Sequence, residues 1–215
     1  DQILTDRQFD VVGTQGAESL QYQINYNVSQ ITSGKKACDI PLQPLIAFDL
    51  LNNPCVIKDD TNNTALLWYD GTSAETLSLG ELINGADIAA PPIPFTLLIT
   101  GGANLRINSN LYYPADPAAP DVNKSSLGII LIAKDVGTGS NVYLSPKPTN
   151  MVGALYADGS LLSQSDDVPG RSYFGGGADA TELKNQLYWQ GSIASRNTLA
   201  GAGRNVKDIQ TARAT

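Results

Sequence analysis

An all-β fold is predicted for this chain of 215 residues, on three observations. Residues 19–31 alternate between apolar and polar side chains. Apolar runs of strand length recur between turn-forming residues from about residue 38 onward. A nine-residue pattern returns 32 positions further on, at Leu155–Ser163 and Leu187–Ser195. The chain is expected to divide into an N-terminal arm over 1–18, a short-stranded β domain over 19–96, a repeat region resembling a right-handed parallel β-helix over 97–199, and a C-terminal tail over 200–215.

Residues 1–18 are polar and contain Gly13 and Gly16, so they read as an extended arm with a loose end. In the next segment Leu20, Tyr22, Ile24, Tyr26 and Val28 are separated by Ser, Gln and Asn. That period places one apolar face against a core and one amide-rich face outward. Such a strand either pairs within its own subunit or completes the sheet of a neighbour.

Between 38 and 100 the runs Leu45–Leu51, Ala65–Tyr69 and Phe95–Thr100 lie between Asn, Asp, Gly and Pro clusters. Residues 73–85, with Leu77, Leu79, Leu82 and Ile83, are the most helix-like piece. Cys38 and Cys55 are not in a Cys-x-x-Cys pair, which argues against a metal or thioredoxin-like site. A disulfide that closes this short loop is preferred to two buried thiols, and it places the chain in an oxidising compartment, extracellular or at a cell surface. Asp1 is not an initiator methionine, so the chain is expected to begin after processing or at an arbitrary start.

Beyond residue 97 the strand-like runs are Asn104–Tyr113, Leu127–Ala133, Asn141–Leu144, Met151–Ala157 and Gln186–Gln190. The repeated pattern is Leu-Tyr-x-x-Gly-Ser-[Leu/Ile]-x-Ser, with a looser copy at 105–111. Self-similarity at this period suggests stacked repeats with Gly, Ser and Asn at their corners. Two similar hairpins in a sandwich are the other reading. In the tail, Val206 and Ile209 fall at helical spacing among charged residues. The tail is expected either to cap an open end or to dock on a neighbour.

The composition excludes several chemistries. There is no histidine, which removes the commonest general base, the commonest zinc ligand and the middle member of a serine triad. The net charge of −7 and the lack of basic clusters argue against nucleic-acid binding. No apolar stretch is long enough to span a membrane. No cofactor and no metal site is expected, and the chain is expected not to be an enzyme. Asp166, Asp167 and Arg171 are the one local combination that hints at polysaccharide cleavage. The oxygen-rich loop Asp59–Asn63 lacks the glycine and glutamate of an EF-hand. Asn27-Val28-Ser29, Asn62-Asn63-Thr64 and Asn123-Lys124-Ser125 fit the N-glycosylation acceptor pattern.

The runs Leu127-Gly128-Ile129-Ile130, Asn141-Val142-Tyr143-Leu144, Val152–Ser160 and Gln186-Leu187-Tyr188, the last leading to Gly191–Thr198, resemble the β-helical segments of large surface and pilus-associated proteins of small-genome, largely uncultivated bacteria. The likeness to the polymer-forming bactofilins is more distant. The resemblance covers about half the chain and brings no catalytic residues. It implies a structural or adhesive role at the cell surface. The leading expectation is therefore a subunit of an extracellular filament or surface layer, forming a homo-oligomer or homopolymer through strand 20–28 and the tail. A carbohydrate-binding module is the alternative, with Tyr112, Tyr188 and Trp189 as stacking surfaces for cell-surface glycans. A polysaccharide-cleaving enzyme is the third.

Overall fold

The computed structural model describes residues 28–38, 51, 53–80, 87–113, 126–133, 139–163 and 187–195. These residues are dominated by strands, as an all-β class requires. The chain divides into two units, Asp1–Lys36 and Ala37–Thr215.

In the first unit, residues 28–32 form a short helix. This corrects the expected strand at its C-terminal end, because Val28 lies in the helix. Two local bonds hold it: the Thr32 hydroxyl donates to the Val28 carbonyl at 2.8 Å, and the Lys35 amide donates to the Thr32 carbonyl at 2.9 Å. Gly34 follows at a φ of 69°, in the left-handed conformation that commonly ends a helix. Leu20, Tyr22, Ile24 and Tyr26 lie outside the described residues, as does the arm over 1–18.

The second unit contains β1 (Val56–Asp59), β2 (Thr64–Asp70), β3 (Thr76–Leu79), β4 (Ile88–Ala89), β5 (Phe95–Thr100) and β6 (Asn104–Ile107). It continues with β7 (Leu111–Tyr112), β8 (Leu127–Leu131), β9 (Val142–Leu144), β10 (Asn150–Ala157), β11 (Leu161–Ser163) and β12 (Tyr188–Ser195). They form a six-stranded sheet in the order β1-β2-β5-β8-β10-β12, a four-stranded sheet β11-β9-β6-β3 and a two-stranded sheet β4-β7. From β2 the chain passes through all three sheets in turn twice, and from β8 onward it alternates between the first two. All pairings are parallel except that of β1 with β2.

This register lines up like residues into columns that form the core. Leu67, Leu97, Ile129 and Leu155 lie side by side across four strands of the six-stranded sheet, and none is more than 2% exposed. Leu77, Leu105 and Val142 make a matching column in the four-stranded sheet, next to Leu79, Ile107 and Leu144. The run Phe95–Ile99 lacks alternation because the six-stranded sheet is buried on both faces there. Phe95, Leu97 and Ile99 belong to the main core cluster, while Leu98 between them is also only 1% exposed.

Polar residues stack as well. The Asn141 amide nitrogens, backbone and side chain, donate to Asn104 Oδ1 at 3.0 and 3.2 Å. Asn141 Oδ1 in turn accepts from the Ser160 amide at 2.9 Å. Asn104 Nδ2 reaches the Ser73 and Glu75 carbonyls. This ladder runs along the starts of the strands of the four-stranded sheet, beside the backbone bonds from Asn104 N to Glu75 O, Leu105 N to Asn141 O and Val142 N to Ser160 O.

Three expectations change. The helix-like piece 73–85 contains β3, because Leu77 and Leu79, two positions apart, both enter the core; its remainder beyond 80 is not described. The expected domain boundary at 96/97 falls inside β5, and β5 pairs with both β2 and β8. The 32-residue echo is not the register of the strands. Leu155 pairs with Ile193 rather than Leu187, and Gly191 pairs with Gly153 rather than matching Gly159. The echo equates a turn, Gly159-Ser160, with the middle of a strand. The inward face decides the pairing instead, since it puts Trp189 beside Met151 and Gly191 beside Gly153.

Candidate assembly interface

The six-stranded sheet has two unlike ends. At the β1 end the outer strand is antiparallel and carries exposed Lys58 and Asp59. Charged side chains on an edge strand discourage further pairing. The disulfide Cys38–Cys55, with a Cα–Cα distance of 5.3 Å, ties the segment before β1 to the sheet. Cys38 forms an isolated parallel bridge with Tyr69 of β2, and its amide donates to the Trp68 carbonyl at 2.7 Å. Asn53 Oδ1 accepts the Cys55 amide at 2.9 Å, and the Asn53 side chain also hydrogen-bonds the Tyr69 phenol. Burial raises the pKa of that phenol above its ordinary value, and the bond with Asn53 opposes the shift.

At the other end, β12 pairs on one side only with β10, and no described strand lies beyond it. The Tyr188 amide donates to the Thr149 carbonyl at 2.7 Å. In a parallel pair the hydrogen-bonding groups alternate, so the backbones of Trp189, Gly191 and Ile193 face away from β10. Ile193 continues the Leu67–Leu97–Ile129–Leu155 column, yet it is 46% exposed because nothing described covers its outer side. Two side-chain bonds hold β12 in place: Trp189 Nε1 donates to the Gly153 carbonyl at 3.0 Å, and Ser195 Oγ donates to the Gly159 carbonyl at 2.7 Å. The strand is bonded to β10 on one side, and on the other no described strand pairs with it.

The aromatic residues separate by environment. Tyr188 is 61% exposed on β12 and Tyr112 is 40% exposed on β7, in a different sheet. Trp189 is half-buried, packs on the core and uses its indole N–H within the fold, so it is not an open stacking platform. The sequence expectation for an assembly surface rests on residues 20–28, of which only Val28 is described, and on Val206 and Ile209; it does not include the exposed Ile193. The parallel column beneath Ile193 is what marks it, and a column of that kind is visible only once the register is known.

Three described carboxylates accept hydrogen bonds within the fold. Asp158 is buried; its Oδ1 accepts the Tyr156 hydroxyl at 2.7 Å and its Oδ2 accepts the Ala133 amide at 2.9 Å. Asp70 Oδ1 accepts from Thr100 Oγ1, which accepts the Trp68 indole N–H. Asp59 organises its own turn through the Thr61 and Asn62 amides. No group of three or more His, Cys, Asp or Glu that could hold a metal ion occurs among the described residues. Val206, Ile209, Asp166, Asp167 and Arg171 lie outside them. No described helix is long and apolar enough to cross a membrane. No family model, curated protein or solved structure matches the chain.

Proposed function

We propose that this protein is a non-catalytic structural subunit of an extracellular filament or surface layer, that its strands form a right-handed parallel β-helix, and that it grows by strand addition at β12. The observation that carries the reading is the exposure of Ile193 at the end of a column whose other members are buried. A strand laid beside β12 would bury Ile193 and satisfy the outward-facing backbone groups of Trp189, Gly191 and Ile193, which is how strand addition obtains both affinity and register. The disulfide supports an extracellular location. Rotation of successive strands among three sheets supports the helix, and the strong right-handed bias of parallel crossovers supports its hand. Because the two ends differ, such addition is directional, and a heterologous contact that does not close makes a fibre. The alternating segment 20–26 is the incoming strand the sequence offers.

Purified full-length chain, sized by light scattering and imaged by negative stain across a concentration series, tests the assembly. Ordered fibres or sheets are expected. A monodisperse monomer at every concentration overturns it.

A second reading, a glycan-binding surface, draws on the exposure of Tyr188 and Tyr112. It expects glycan-array binding that falls on Tyr188→Ala, and a blank array ends it.

A further inference from the structure

We propose that Asn62 is an acceptor for an N-linked oligosaccharide, carried on the turn between β1 and β2. Of the acceptor patterns in the sequence, Asn62-Asn63-Thr64 is the one whose residues are all described. Lys58 through Asn63 are all exposed, and Thr64 opens β2 opposite Asp59. Asn63 holds a φ of 51° in the turn that joins β1 to β2. The Asn62 side chain is therefore presented outward by a defined turn.

The chemistry of that side chain fits. Asn62 Nδ2 donates one N–H to Asp59 Oδ2 at 2.8 Å. A primary amide has two such hydrogens. In the transfer, Nδ2 bonds to the anomeric carbon of a lipid-diphosphate-linked oligosaccharide, and the bond from that carbon to the diphosphate oxygen breaks. The diphosphate leaves with the bonding electron pair, and the amide gives up one proton. The modified nitrogen keeps its other N–H for Asp59, so the turn survives glycosylation. The disulfide Cys38–Cys55 is compatible with folding in an oxidising, secretory compartment. A glycan at this turn would stand beside the charged β1 edge and leave β12 uncovered. The proposal does not depend on assembly.

The test is secretion of the full-length chain from a eukaryotic cell line, followed by glycopeptide mapping. The Asn62 peptide is expected to carry a glycan, and peptide N-glycosidase treatment is expected to leave aspartate at 62. Asn27→Gln with Asn123→Gln removes the other acceptors and is expected to leave one glycan per chain. Thr64→Ser is expected to retain it, and Asn62→Gln to lose it. An Asn62 peptide recovered wholly unmodified from secreted, disulfide-bonded protein overturns the proposal, whatever the assembly state.

Discussion

Ile193 and Leu155 hold the same register position on neighbouring strands, yet Ile193 is 46% exposed and Leu155 only 2%. A difference of this size between paired aliphatic residues marks an interrupted stack.

Ile193→Lys should therefore separate folding from assembly. The lysine can reach solvent from this edge, so the substituted chain should keep its thermal midpoint within a few degrees, as surface changes usually do. Its scattering mass should stay that of a monomer where the parent chain assembles. Leu155→Ala should instead lower stability by about 2–5 kcal/mol, measured by denaturant unfolding, because it opens a cavity within the column.

Removing the disulfide tests the closed end. Cys38→Ser with Cys55→Ser releases a loop of sequence separation 17. On the loop-entropy model it should lower stability by about 3 kcal/mol. The midpoint of urea unfolding checks this, and β12-dependent assembly should persist under conditions where the variant remains folded.

Tyr69 gives a pH signature. Its folded-state pKa is raised by burial above the ordinary 10.0, with the Asn53 bond acting the other way, so the folded state favours the neutral phenol. The resulting stability is fully present below the ordinary value and is lost as pH rises through the folded-state value. Unfolding monitored against pH should show an alkaline loss of stability that Tyr69→Phe reduces. An unchanged alkaline limb in the variant would count against the assignment.

The asparagine ladder can be cut at its centre. Asn141→Ala removes the side-chain donor to Asn104 Oδ1, leaving the backbone N–H of residue 141 on that oxygen, and removes the acceptor for the Ser160 amide. Stability should fall by about 1–3 kcal/mol, the range for leaving such groups unsatisfied. Hydrogen exchange at the Ser160 amide should rise more than at the Val152 amide.

Much of the strand content was legible in the sequence, because short apolar runs between Gly, Asn and Pro identify strands from local information. The stretches at 127–131, 142–144 and 150–157 are strands for that reason. Register was not legible. Pairing Leu155 with Ile193 rather than Leu187 depends on which residues share the inward face, a relation between distant segments. The same limit hid β3 and the exposure of Ile193. Leu77 and Leu79 look helical when Leu82 and Ile83 are counted with them, and they read as a strand only beside Leu105 and Ile107. Val28 failed differently, since it lies in a turn of helix that Gly34 follows, and that glycine is a visible local signal.

Parallel stacking also sets how the second unit should respond to force. Each strand is held chiefly by its immediate neighbours, so load applied at Ser195 meets the bonds of β12 before those of β10 or β8. Tension from that side should peel the sheet one strand at a time and give a series of small extension steps. Tension near Cys38 meets a covalent link first. A fibre built from such subunits would be weaker at one pole of each subunit than at the other, and it would yield by losing single strands.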